Sequence, residues 1–166
     1  MKRKTPSTFS CTFARALEAI GDGWSWLIIR NLFHGQSRFA VLQDDLGIAR
    51  NILSNRLKQL VGAGIVGKVA DRQGSKYPEY LLTEKGQELL TVMVALNQWG
   101  DRHYTPTKGL ASWTIDRATG EPLAPVALQN NLGENVPVER LRHVTVGEVR
   151  DHGWPHPENQ DAALQE

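Results

Sequence analysis

The chain has 166 residues, 40% of them hydrophobic and 22% charged, which is the composition of an ordinary globular domain with room for an appendage. No apolar run approaches the roughly 20 residues of a membrane-spanning helix, the basic start "MKRKTPSTFS" has no apolar stretch behind it, and a single cysteine excludes an internal disulfide or a cysteine-built zinc site. A cytoplasmic protein with no membrane partner is the expectation. The net charge of +1 conceals an asymmetry: Met1 to Tyr104 carries 14 Lys or Arg against 9 Asp or Glu, a balance of +5, whereas Thr105 to Glu166 carries 5 against 9, a balance of −4. The N-terminal part is the one suited to an anionic partner.

Residues 1–10 read as a flexible basic arm. In "FSCTFARALEAI", Phe13, Leu17 and Ile20 fall at helical spacing and Gly21 ends the first helix. Asp22 is placed to cap a second helix, "GWSWLIIRNLFHG", whose apolar character from Trp24 to Phe33 runs nearly all round and predicts burial on most sides before Gly35 stops it. Ser37 is placed to cap a third, "RFAVLQDDL", with Phe39, Leu42 and Leu46 inward. A turn at Gly47 then leads into "GIARNILSNRLKQLVGAGIV". In that fourth helix Leu53, Leu57, Leu60 and Val61 form one apolar stripe, and two short helices joined by a glycine turn make a helix-turn-helix.

After Gly64, "IVGKVA" and "YPEYLL" read as two strands around the polar loop "DRQGSK", with Pro78 pointing to an edge position. A hairpin after a helix-turn-helix is a wing. Thr83 is placed to cap a long helix from Glu84 to His103, in which Leu89, Leu90, Val92, Met93, Leu96 and Trp99 cover more than one stripe. The fold class is therefore mainly α with a small β-hairpin wing, a winged helix-turn-helix over residues 11–104. Residues 105–150 alternate short β-like runs with Gly, Pro and Asn turns and read as a small hairpin-rich appendage; residues 151–166 read as a disordered tail.

The side of the fourth helix opposite its stripe collects Asn51, Ser54, Asn55 and Lys58. Short amides and a hydroxyl with one cation are unusual for a merely solvated face. In a helix-turn-helix the second helix lies in the DNA major groove. There Asn51 and Asn55 would pair with adenine edges, Arg50 and Arg56 near the rim would reach guanine or phosphate, and Ser54 and Lys58 suit base or backbone. Arg38 joins this set from the start of the third helix. In the wing Arg72, Ser75 and Lys76 would enter the minor groove or lie on phosphates. The plain alternatives are a solvated helix face and an ordinary charged hairpin tip.

The stretches "CTFARALEAIGDGWSWLIIRNLFHG", "SRFAVLQDDLGIARNILSNRLKQLVGAGIV" and "YPEYLLTEKGQELLTVMVALNQWGDRH", in this order, resemble the HxlR-type winged-helix transcriptional regulators, relatives of the MarR group. The resemblance covers Cys11 to Tyr104. It implies a repressor or activator that binds double-stranded DNA as a homodimer joined through its terminal helices, on inverted half-sites about one turn, roughly 34 Å, apart. The sequence departs from the family pattern at Ala49 and Arg50, where Ser and Pro are frequent, and at Gly62, where an acidic residue is usual; the base contacts are accordingly expected to differ. The appendage resembles the family's extended C-terminal ribbon without the paired cysteines of some members, so no zinc is expected, and no cofactor is called for.

Cys11 stands where redox-sensing members of that family carry a reactive cysteine, near a helix N-terminus with Arg15 one turn on and Lys2, Arg3 and Lys4 close in sequence, an electropositive surrounding that suits a reactive thiol. The alternative is a small residue filling a dimer seam. Trp24, Trp26 and Trp99 are candidates for a pocket binding a small-molecule effector, or else plain core. His152 and His156 would hold a metal only with further ligands. The chain has no catalytic triad frame, phosphate-cradling glycine loop or HExxH helix, so an enzyme is not expected; the competing reading is a winged-helix module whose amide-rich face docks a protein.

Overall fold

In the computed structural model, which describes residues 11–70, 76–104, 114–144 and 146–152, helix boundaries follow local chemistry. The basic arm, the segment 105–113 and the tail from residue 153 lie outside the described residues. Helix α1 (Thr12–Ile20) ends at Gly21, whose φ of +93° disfavours any residue with a Cβ. Helix α2 (Gly23–Phe33) starts at Asp22, whose Oδ1 accepts from the Ser25 amide at 3.3 Å. Helix α3 (Phe39–Leu46) closes at the left-handed Gly47, and α4 (Arg50–Gly62) begins three residues later, the joint of a helix-turn-helix.

Strands β1 (Val66–Val69) and β2 (Glu79–Leu82) pair antiparallel, with Val66 opposite Leu82 and Val69 opposite Glu79. One sequence expectation is corrected at this wing. Ser37 does not cap α3. The residue at the cap position is Arg38, with no side-chain hydrogen bond, because the backbone here is extended to join the sheet: the Ser37 carbonyl accepts from the Tyr80 amide at 2.7 Å and Arg38 bridges Glu79. The same bridge gives β2 a second neighbour at Glu79 alone, in a sheet that is otherwise two-stranded. β2 remains an edge strand beyond that bridge, as Pro78 suggests, and Pro78 stands just before it, where its missing N–H costs no ladder bond.

The core is one cluster. Ile28, Ile29 and Leu32 of α2 meet Leu42 of α3, Leu53, Leu57 and Leu60 of α4, and Ile65 and Val66 at the start of the wing. Each of these side chains stabilises the fold by roughly 1.5–3 kcal/mol of transfer free energy. The α4 stripe is buried as its spacing predicts, whereas α2 is not buried all round: it leaves Trp24, Leu27 and Phe33 exposed in the single chain. A polar link the sequence does not announce ties α2 to α3. The buried Asn31 donates Nδ2 to Asp45 Oδ2 at 2.7 Å and accepts at Oδ1 from Arg30 Nη2 at 2.8 Å and Nε at 3.0 Å. A buried amide is tolerated because its hydrogen bonds are made.

Helix α5 (Glu84–His103) begins at a corner built by Thr83. The Thr83 hydroxyl accepts from the Gly86 amide at 3.1 Å and donates to the Gly64 carbonyl at 2.7 Å, while its own amide donates to the Ile65 carbonyl at 3.1 Å. Gly86 is pressed so closely on that corner that a Cβ there would overlap the Ile65 carbonyl oxygen. Lys85 Nζ closes it from outside by donating to the Ala63 carbonyl at 2.8 Å. The end of α4, the start of the wing and the start of α5 are thus one hydrogen-bonded piece.

The chain divides into two compact units after Pro125. In the first, Ile115 bridges Pro122 across a turn, and Gln98 on α5 donates to the Ala124 carbonyl at 3.0 Å. In the second, Gln129 bridges Asn135 around an Asn130–Gly133 turn, a 3-10 turn spans Val138–Arg140, and a short α6 (Val146–Asp151) follows. The hairpins of the appendage are thus one pair long. Pro122, Pro125 and Pro137 interrupt the donors a longer ladder would need. Among the described residues no helix is long and apolar enough to cross a membrane.

Candidate nucleic-acid interface

Helix α4 fixes the first part of the site. With Leu53, Leu57 and Leu60 in the core, its 3.6-residue period turns Asn51, Ser54, Asn55 and Lys58 outward, and all four are exposed. Arg50 opens the helix, exposed, with its guanidinium carbon 5.6 Å from the centre of the Phe39 ring. That stacking holds a long side chain in place without neutralising it.

The wing and the start of α3 supply the second part. Lys76 is exposed, its ammonium 5.1 Å from the centre of the Tyr77 ring, and Lys68 lies likewise 5.7 Å from the Tyr80 ring. Arg38 Nε is 3.6 Å from Glu79 Oε1, an ion pair between a part-exposed cation and a nearly buried carboxylate. Between the two parts runs a groove of about 490 Å³ lined by Arg38, Phe39, Arg50, Ser54, Tyr77 and Tyr80, among others. Residue types alone give no hint of this groove; the sheet bridge at Arg38, which sets α3 beside β2, creates it. Arg72 and Ser75, the other expected wing contacts, lie outside the described residues.

Arg56 belongs elsewhere. Its Nη2 is 2.6 Å from Asp22 Oδ2 and its Nη1 donates to Gln59 Oε1 at 2.9 Å, so this cation joins α4 to the start of α2 instead of standing on the outer rim expected from the sequence. One residue's rotation around the helix, about 100°, separates it from Asn55. The partner that captures it is 34 positions away and invisible to local spacing.

The remaining candidates are scattered. Cys11 is exposed at the start of α1, with its carbonyl accepting from the Arg15 amide at 3.1 Å. Trp26 packs partly against the core, Trp24 is exposed, and Trp99 is exposed with its ring 5.1 Å from His103 and 5.5 Å from Tyr104. These tryptophans line neither the groove above nor a second cleft of about 420 Å³ beside Asp22 and Arg56. His152 Nδ1 lies 3.0 Å from the Glu148 carbonyl, and His156 is outside the described residues. No group of three or more potential metal ligands occurs among the described residues.

Comparison with known proteins agrees with this geometry. The HxlR-like helix-turn-helix family model matches residues 19–108. The uncharacterised HTH-type transcriptional regulators Rv3095 of Mycobacterium tuberculosis and Mb3122 of Mycobacterium bovis are each 37% identical over 122 residues, 74% of this chain and 77% of theirs. Among solved structures, PA1607, a proposed transcription factor, superposes with a TM-score of 0.77 at 36% identity, over 85% of this chain and 99% of its own. PA1374 of Pseudomonas aeruginosa, another proposed transcription factor, gives 0.56 at 32%, over 86% and 99%. The redox regulator HypR in its reduced form gives 0.51 at 26%, over 55% and 92%. Since 85% of 166 residues is about 141 and the first unit holds 125, the likeness to PA1607 reaches beyond Pro125 into the second unit. With a helix-turn-helix, a wing and the matching family model in place, the chain belongs to the HxlR-like helix-turn-helix transcriptional regulators, a family whose architecture implies DNA binding.

Proposed function

We propose that this regulator works as a homodimer on an inverted-repeat operator, reading sequence with the outer face of α4 and gripping the backbone with the wing. The observation that carries the reading is the outward set of Asn51, Ser54, Asn55 and Lys58, flanked by Arg50, Arg38 and Lys76 on adjoining elements. Amides suit the paired donor and acceptor of adenine, and cations set the affinity through phosphates. Arg72 and Ser75 extend the same wing in sequence. Arg56 is left out of the contact set, since it is engaged by Asp22.

Dimerisation is supported by apolar stripes on the terminal helices. Phe13 and Leu17 on α1 are 71% and 45% exposed, and Val92, Leu96 and Trp99 on α5, at i, i+4 and i+7, are 51%, 50% and 45% exposed. Stripes of this kind on a soluble chain are normally covered by a partner. For regulation, the exposed Cys11 beside Arg15 and the likeness to the redox regulator HypR support an oxidant as effector. The experiment is fluorescence anisotropy on the duplex upstream of the protein's own coding region against scrambled DNA, over several salt concentrations. Preference of about 10³-fold with a steep salt dependence is expected; equal weak binding to both duplexes would favour a protein-docking role. Oxidant should lower operator affinity, and Cys11→Ser should abolish that response; an unchanged response in the variant removes Cys11 from the mechanism.

A further inference from the structure

The groove between α4 and the wing carries more aromatic surface than a duplex would use. Three rings line it: Phe39 at the start of α3, Tyr77 just before β2 and Tyr80 on β2. Each ring has a cation close to it, Arg50 at 5.6 Å from the Phe39 centre, Lys76 at 5.1 Å from Tyr77 and Lys68 at 5.7 Å from Tyr80. Duplex DNA is met through phosphates and base edges, by charge and hydrogen bonds, and its base faces are stacked out of reach. The cations of the groove serve that purpose; the rings do not.

The lining itself sets the charge of an occupant. Arg38 and Arg50 belong to it and none of the lining residues is acidic; Glu79, the carboxylate paired with Arg38, is buried and lies outside the lining. Arg50 is also the first residue of α4, and Ala49 at the cap position makes no side-chain hydrogen bond, so no side chain caps the positive end of the helix there. A volume of about 490 Å³ suits a small molecule. We propose that this groove is an effector site for a planar aromatic carboxylate, with its ring system against Phe39, Tyr77 and Tyr80 and its carboxylate on the Arg50 guanidinium, a planar donor fork matched to that group. A cation is repelled by this lining, and a neutral aromatic forgoes the arginine. Arg38, Arg50 and Ser54 are shared with the DNA contact set, so the carboxylate and a duplex exclude one another. That consequence rests on the proposed docking of α4 and the wing; the binding of the carboxylate does not.

The test titrates the full chain, without DNA, into anthracene-2-carboxylate and into its neutral analogue anthracene-2-carboxamide, reading the anisotropy of the probe's own fluorescence. The carboxylate should bind about tenfold or more tightly than the amide. Arg50→Gln, an exposed position whose change removes nothing from the core, should weaken the carboxylate by about tenfold and the amide by less than about twofold, with the thermal melt unchanged. Trp24→Ala should alter neither, which separates the groove from the exposed tryptophan of α2. In a second titration the carboxylate should release a labelled duplex bound at low salt, and the amide should not. Equal affinity for the two probes, an unchanged carboxylate affinity in Arg50→Gln, or loss of binding in Trp24→Ala overturns the site, as does simultaneous binding of carboxylate and duplex with no mutual effect. If the chain takes the carboxylate through Arg50 but binds no duplex, the site stands and the DNA-docking reading falls.

Discussion

Helices α4 and α5 both lay one side on the same core, and their outer sides could hardly differ more. Opposite Leu53, Leu57 and Leu60, α4 presents two amides, a hydroxyl and a lysine; away from the buried Gly86 and Val94, α5 presents Val92, Leu96 and Trp99. A polar face at that position gains most from a partner rich in hydrogen-bonding groups and negative charge, an apolar one from a partner that removes it from water. The contrast teaches that burial fixes where each helix sits, while the residues burial does not constrain give each outer side its own chemical character.

Substitutions on the shared side should break both functions at once. Leu57→Ala leaves a cavity beneath α4 and should lower stability by roughly 2–5 kcal/mol in denaturant unfolding, taking DNA binding and dimerisation down together. Next in size, Leu96→Asp should separate them by raising the dimer dissociation constant roughly 100-fold in sedimentation while leaving the melt of the monomer within about 1 kcal/mol. Asn55→Ala acts on the other outer face. It should lose about 1–3 kcal/mol of discrimination at a single base pair, measured by anisotropy on a panel of mutated operators, with dimerisation untouched. The smallest effect is expected from Lys76→Ala, which should weaken all duplexes alike and reduce the slope of log affinity against log salt by about 1. Equal effects of Asn55→Ala and Lys76→Ala across all sequences would erase the division between base-reading helix and backbone-gripping wing.

The element order could be read from the chain because its boundaries are local. Gly21, Gly35, Gly47 and Gly64 all adopt positive φ, and Asp22 and Thr83 bond within their own first turns. Errors arise where a distant partner outbids a near one. Ser37 has the chemistry of a cap, but its backbone is recruited by Tyr80; Arg56 has the chemistry of a DNA contact, but Asp22 takes it. The all-round apolar α2 reads as fully buried because composition alone does not say which sides of a helix the core covers; Trp24, Leu27 and Phe33 remain exposed. The outward set on α4 was readable for the opposite reason: it is defined by the period of a single helix, and the tertiary structure had only to keep the stripe inside.

The Thr83 corner gives the domain a mechanical property. With the end of α4, the root of the wing and the start of α5 tied through one hydroxyl and a glycine too tight for a methyl group, the three cannot pivot independently. Helix α5, at 1.5 Å per residue over 20 residues, is a rod of about 30 Å fixed to that pivot. By that geometry a tilt of about 10° at the corner swings the far end by roughly 5 Å. The domain is thus geared: a displacement of about 5 Å at the His103 end corresponds to about 10° of rotation at the corner that also holds the end of α4 and the root of the wing.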